Sequence, residues 1–317
     1  MRSGANFEHT CLQRRPHAFS THRHQHRSWN DRADMPDKGR SSLAQLDSEG
    51  SSTINHDEVP ISSGNLESTG LSDANSPLWL LSHSLSGSDG LPAGCYYVPN
   101  FITAEEEQQI SSIINATPAS KWTNLSHRRL LSLPSLLTGT ARDTLIAAPL
   151  PEYLQDPILS RLRETKVFIS TKSPHGEPNH VLVNQYQPGQ GIMPHEDGPA
   201  YFPITATVSL GSHTILEIYK KNEQGERESI PTWRILQEPR SLLVTSESMY
   251  TNTLHGIANV SNDKDLRDGS ITNWHALADK TPYESGRCER RTRISLTYRD
   301  VLRVTRLGSA LKFLGKK

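Results

Sequence analysis

Asn184-Gln185-Tyr186-Gln187-Pro188-Gly189-Gln190-Gly191-Ile192-Met193-Pro194-His195-Glu196-Asp197-Gly198 is the stretch on which the reading of this chain turns. It closes an apolar run, His180-Val181-Leu182-Val183, that suits a buried strand. It then turns through Pro188-Gly189 and Gly191. It delivers a histidine and a carboxylate two residues apart, His195 and Asp197. In an extended segment residues i and i+2 project to the same side. His195 and Asp197 can therefore hold one metal ion between them, with Glu196 directed away. A third ligand has to come from elsewhere in the chain.

The 317 residues suffice for one domain of about 200 to 230 residues plus a tail, or for two small domains. Only 34% of them are hydrophobic, and the deficit is uneven. Residues 1–90 are rich in Ser, Gly, Asn, Asp and His and are read as a disordered N-terminal tail. The first 30 carry Arg2, Arg14, Arg15, Arg23 and Arg27 among five histidines, with Glu8 as the sole acid. That pattern suits a transit peptide, a metal-binding tract, a solvated tail, or an over-extended start with Met35 as initiator. Lys+Arg and Asp+Glu both number 34, so no global charge draws the protein to nucleic acid or membrane, although a local basic face is compatible with this balance. The three cysteines are scattered without a CxxC, which argues against a disulfide framework or zinc ribbon and fits a reducing compartment. No apolar run approaches the ~18 residues of a membrane span.

A domain is expected over 91–317. Gly94 to Pro99 reads as a short strand, and Thr103 with Glu106 as a capping box opening a helix striped by Ile110, Ile113 and Ile114. Lys121 to Arg129 has two readings. Trp122, Arg128 and Arg129 form a stacking and phosphate-contacting lid, or the stretch is an edge strand with a core Trp. Leu154, Ile158, Leu159 and Leu162 have helical spacing, with a helix beginning at or near Pro157. Strands then recur at 179–186, 204–210, 214–219, 232–236, 241–245 and 293–299, separated by Gly, Ser and Pro. Even spacing of short strands favours a closed or double-sheet β architecture with the helices on one outer face. Residues 260–290 are polar and patternless and read as a mobile insertion. Leu302, Leu307, Leu311 and Leu314 suggest a short basic amphipathic helix at the end.

Of 14 histidines, seven precede Leu91. His255, in Leu254-His255-Gly256-Ile257, is the strongest candidate for the third ligand, because Gly256 allows the backbone to approach closely. His213 and His275 compete, but His213 reads as a surface residue of a Gly-Ser-His turn and His275 falls in the insertion. Two histidines and a carboxylate on one face leave open positions suited to non-haem Fe(II) binding a chelating co-substrate and O₂. Zinc activating a water is the alternative. The strand Arg293 to Arg299 adds weight to the first. Arg293, Ser295, Thr297 and Arg299 share one face and Ile294, Leu296 and Tyr298 the other. A row of Arg, Ser, Thr and Arg aimed into a barrel is costly unless an anion waits there. A dicarboxylate, gripped by a guanidinium through two parallel hydrogen bonds, is such an anion.

Asn184-x-Tyr186, His195-x-Asp197, His255 and Arg293-x5-Arg299, in that order, resemble the AlkB-like branch of the Fe(II)/2-oxoglutarate-dependent dioxygenases. The stretches from Asn179 to Tyr186, from Gly191 to Pro199 and from Ser209 to Thr214 are similar to the AlkB homologue six subgroup. The resemblance implies a mostly β fold with flanking helices, a double-stranded β-helix (jelly roll). It implies Fe(II) held by His195, Asp197 and His255, with O₂ and 2-oxoglutarate as co-substrates. It implies that Arg293 pairs with the far carboxylate of 2-oxoglutarate, that Asn184 and Tyr186 hydrogen-bond it, and that Arg299 lies near its other end or near the substrate. The family often carries Asn where this chain has Ser295. The stretch from Trp122 to Arg129 falls where relatives carry a substrate-covering lid. The implied reaction oxidises a substrate C–H while 2-oxoglutarate is decarboxylated to succinate and CO₂, and an N-methyl group so oxidised leaves as formaldehyde. The expected substrate is alkylated nucleic acid, DNA or RNA. The alternatives are a protein side-chain hydroxylase or demethylase, a weakly active nucleic-acid-binding protein, and a zinc hydrolase. A monomer without membrane association, in nucleus or cytoplasm, completes the expectation.

Overall fold

The computed structural model describes residues 90–306. The N-terminal tail up to residue 89 and the last leucines of the expected C-terminal helix lie outside the described residues. The described residues form fifteen strands: β1 (Cys95–Val98), β2 (Thr123–Leu125), β3 (Arg128–Leu133), β4 (Thr144–Ile146), β5 (His180–Tyr186), β6 (Ile192–His195), β7 (Tyr201–Leu210), β8 (Thr214–Lys220), β9 (Trp233–Gln237), β10 (Leu242–Ser246), β11 (Thr253–Ile257), β12 (Asn262–Lys264), β13 (Arg287–Glu289), β14 (Arg293–Val301) and β15 (Arg303–Thr305).

Two antiparallel sheets make the sandwich. The larger has the order β1-β10-β7-β14-β5-β3-β2, and the smaller β6-β11-β8-β9. The jelly roll expected from the sequence is therefore present. Strand alternation assigns the two faces of the larger sheet. Ile294, Leu296 and Tyr298 of β14 lie beside Ala206, Val208 and Leu210 of β7 and Val181 and Val183 of β5 on the outer face. The helix Ala104–Asn115 covers that face with Ile110 and Ile114, and the segment from Leu154 to Phe168 adds Ile158, Leu159 and Leu162. The helix starts as its capping box requires, with Glu106 N donating to Thr103 Oγ1 at 3.2 Å and Thr103 N to Glu106 Oε2 at 2.8 Å. Ile113 departs from the expected stripe and is exposed. Leu154 belongs to a single turn, Glu152–Leu154, that ends before an extended Asp156, and the longer helix Ser160–Thr165 follows Pro157. The opposite face of the larger sheet is polar along its centre, with Arg293, Ser295, Thr297 and Arg299 of β14 beside Thr205, Thr207 and Ser209 of β7.

Residues 260–290, expected to be mobile and patternless, are folded. β12 pairs with β13, and Leu266, Ile271, Leu277 and Tyr283 are buried against β8 and β9. Polar side chains do the anchoring, which is why no hydrophobic period announces the segment. Asn273 is wholly buried; its Nδ2 donates to Leu236 O at 2.8 Å and its Oδ1 accepts from Leu236 N at 2.9 Å. One side chain thus supplies the free edge of β9 with the two bonds a further strand would have made. Glu238 accepts from the backbone N–H of Ala278 and of Asp279 and from Tyr97 Oη. His213, read as a surface residue, is buried, with Nε2 at 3.1 Å from Asp263 Oδ2, and Arg290 grips that carboxylate at 2.6 and 2.7 Å. The expected C-terminal helix does not begin at Leu302: β15 runs parallel to β4 instead.

Candidate metal centre and anion pocket

β6 pairs with β11 so that His195 stands directly opposite His255. Two glycines allow this approach. A Cβ on Gly256 would lie 2.9 Å from Pro194 N, and one on Gly191 would lie 2.1 Å from Ile257 O. The two imidazole centroids are 4.5 Å apart. Asp197, in the turn after β6, brings Oδ1 to 4.0 Å from His255 Nε2. One ligand atom from each of the three residues lies within 4.8 Å of the others. A single ion with bonds of ~2.0–2.2 Å holds ligand atoms no more than about 4.4 Å apart, so the three side chains would draw together slightly on a metal. His195 Nδ1 is 2.9 Å from Met193 O. A carbonyl only accepts, so Nδ1 carries the proton and Nε2 keeps its lone pair for a metal. Glu196 points away, as i and i+2 alternation requires, and pairs with Lys221 at 2.6 Å.

The electrostatics suit a cation. Burial works against charge on Asp197, yet the Arg299 guanidinium, helped by His255 and His195, outweighs it and holds the carboxyl below its ordinary range. Arg299 Nη2 donates directly to Asp197 Oδ1. Burial holds His195 down at about 4, reinforced by His255 and opposed by Asp197 and the Met193 carbonyl. Desolvation lowers His255 too, against Asp197. Both rings are therefore neutral near pH 7, the form that ligates.

Arg293 lies on the same inner face and is buried. Its Nη2 donates to Ser209 Oγ at 2.9 Å and to Gln237 Oε1 at 3.1 Å, while its Nε has no partner. Burial pushes the guanidinium down to about 10; Tyr186 opposes this and Arg290 adds to it, and among the described residues no carboxylate acts on it. Tyr186 is the cross-strand partner of Arg293, and Asn184 that of Ser295. Arg128 Nε donates to Asn184 Oδ1 at 3.2 Å. A buried cation with an orphaned N–H is unfavourable by several kcal/mol until an anion reaches it. The donor set thus fits a metal, and the arginine fits a carboxylate beside it.

The three residues expected to cover a substrate part company. Arg128 faces inward, onto Asn184. Trp122 is buried in the outer core, and Arg129 stacks on it at 4.1 Å while its Nε donates to Gln185 Oε1 at 2.6 Å. Alternation along β3 forces this, since Arg129 shares the face of Leu131 and Arg128 does not. The edge-strand reading of this stretch is the one the structure gives. His275 is exposed beside Asp268 and remote from the triad's set of ligands. Sequence reasoning missed Ser209 and Gln237, which hold Arg293, and Tyr201, whose ring lies 4.7 Å from the Arg299 guanidinium carbon. The alternation Thr205, Thr207, Ser209 carried a signal for the first; Gln237 had none. A cavity of about 480 Å³ lined by Glu238, Arg240, Tyr283 and Arg291 includes none of the triad and neither inner arginine of β14.

The family model of the 2OG-Fe(II) oxygenase superfamily matches residues 94–299. A protein of Danio rerio described as "Probable RNA/DNA demethylase ALKBH6" is 35% identical over 236 residues, which are 71% of this chain and 92% of that protein. "tRNA (carboxymethyluridine(34)-5-O)-methyltransferase ALKBH8" of Mus musculus is 29% identical over 69% of this chain, which spans 32% of that longer protein. Among solved structures, that of OsALKBH1 overlays with a TM-score of 0.43 at 15% identity, covering 66% of this chain and 98% of that one.

Proposed function

The chain belongs to the 2OG-Fe(II) oxygenase superfamily, and from that membership we propose that it removes N-alkyl groups from nucleic acid by oxidation. Members of the superfamily use Fe(II), 2-oxoglutarate and O₂. When bound, this set supplies oxidation of a substrate C–H coupled to decarboxylation of 2-oxoglutarate to succinate and CO₂.

The work left to the protein is assigned residue by residue. His195, Asp197 and His255 would hold the metal, and the Met193 carbonyl fixes the His195 tautomer. Arg299 keeps the Asp197 carboxylate ionised and oriented. Arg293 would take the far carboxylate of 2-oxoglutarate, held in place by Ser209 and Gln237. Tyr186 and Asn184 flank it on the next strand, and Arg128 orients the Asn184 amide. The buried guanidinium of Arg293, on the strand face that also carries Arg299 against Asp197, carries the oxygenase reading, because a zinc hydrolase would have no use for it. The nucleic-acid reading is supported by the similarity to a protein described as a probable RNA/DNA demethylase along 92% of its length.

Succinate and formaldehyde released from a panel of N-methylated DNA, RNA and peptides test the proposal. Release with DNA or RNA is expected. Release with peptides alone would move the substrate to protein side chains.

A further inference from the structure

The two histidines of the triad sit on a continuous row that leads out of the centre. His195 pairs with His255, His255 with Ile218, and Ile218 with Trp233, so one rung of the smaller sheet carries all four on one face. Neighbouring strands are ~4.8 Å apart, which places Trp233 about 10 Å along the sheet from His255. β9 is the last strand of this sheet, and Trp233 is partly exposed there. Lys220 is two residues beyond Ile218 on β8 and so shares its face. Its Nζ lies 5.0 Å from the centroid of the Trp233 ring. The adjacent Lys221 is neutralised by Glu196, whereas among the described residues no carboxylate pairs with the exposed Lys220.

We propose that Trp233 and Lys220 form a docking plate for a second nucleotide of the substrate strand, next to the one being oxidised. One side of the indole packs on the core and Lys220 lies over the ring, so binding would move the ammonium onto the phosphate as a point charge and leave that face of the ring to the base. The spacing matters. Stacked bases are ~3.4 Å apart, so a plate about 10 Å from the ligands suits a strand whose reacting base is unstacked and turned into the pocket. The plate would hold the flanking backbone while Arg293 and the triad act on the inner side. This inference rests on the nucleic-acid reading of the site.

The test uses the full chain with Fe(II) and 2-oxoglutarate under argon and a short fluorescent single strand of RNA or DNA carrying one N-methylated base. Trp233→Ala is expected to weaken the Kd about tenfold, and Trp233→Phe to restore most of it. Lys220→Gln is expected to reduce the slope of log K against log salt by about 0.7. An abasic spacer beside the methylated base should weaken binding to the wild type and change nothing further in Trp233→Ala. Lys220→Gln lies on the surface and stays informative if Trp233→Ala does not fold. Wild-type affinity and salt slope in Lys220→Gln, together with a spacer penalty that persists in Trp233→Ala, would overturn the plate alone. A wild type that binds no oligonucleotide removes the nucleic-acid reading and the plate with it. Trp233-dependent capture of a methylated peptide in place of the oligonucleotide would also overturn the plate as a nucleotide site.

Discussion

Arg293 and Tyr186 face each other across neighbouring strands, with the guanidinium carbon 5.9 Å from the tyrosine ring centroid and, among the described residues, no carboxylate acting on the arginine. The pair closes the inner end of the polar strip that runs along β14 to Arg299 and the triad.

Removing that cation should cost co-substrate affinity without costing the fold. Arg293→Met is expected to raise the 2-oxoglutarate requirement about 100-fold, from the ~3 kcal/mol lost on breaking a buried pair. Ser209 Oγ still donates to Gln237 Oε1 at 3.2 Å in its absence, so unfolding without ligand should occur at the same temperature or higher. Added 2-oxoglutarate should raise the wild-type midpoint and leave that of the variant unmoved. An unchanged requirement in titrations of succinate formation would end this role for Arg293.

The two glycines behind the histidines make a graded prediction. Gly256→Ala puts a methyl 2.9 Å from Pro194 N and should loosen β6 from β11 at about 1–3 kcal/mol. Gly191→Ala, at 2.1 Å from Ile257 O, should cost more. Fe(II) affinity should fall in the same order, measured by competition with a chelator. Wild-type iron binding in both variants would show that the strand spacing does not set the triad.

His180 should make stability depend on pH. It is buried, with Nε2 at 2.8 Å from Ser132 Oγ, and burial, with the Arg299 charge adding to it, lowers it from 6.5 to about 3. The unfolded chain therefore binds the proton first. Stability is complete above pH 6.5 and falls as the pH drops from there toward 3, by up to several kcal/mol. His180→Gln should flatten that slope in urea titrations at pH 7, 6 and 5. A slope identical to wild type would assign the dependence to other groups.

Asn273 should act as the latch of residues 260–290. Asn273→Ala leaves the backbone N–H and carbonyl of Leu236 unpaired, at about 1–3 kcal/mol each where water does not reach them. Amide exchange across β12 and β13 should accelerate before that of β14. Uniform protection in the variant would show that the latch is elsewhere.

The triad was legible because each part had a local signature: a two-residue spacing at His195 and Asp197, a histidine followed by glycine at His255, and strict alternation from Arg293 to Arg299. What escaped depended on pairing register or on distant partners. Trp122 and Arg129 could be read on either side of an edge strand, since a shift of one residue exchanges the faces. His213 looked like a turn residue until Asp263, fifty positions later in sequence, folded against it. The segment 260–290 looked loose because Asn273, Glu238 and Arg234 hold it through side chain to backbone bonds, which leave no hydrophobic period.

His195, Asp197 and His255 are expected to hold Fe(II) while Arg293 holds the far carboxylate of 2-oxoglutarate. Anaerobic addition of Fe(II) and 2-oxoglutarate to the full chain measures this most directly. A visible charge-transfer absorption band is expected in the wild type, absent from His195→Ala, and needing far more 2-oxoglutarate in Arg293→Met. A wild type that gives no band, or a band that survives His195→Ala, would contradict the claim.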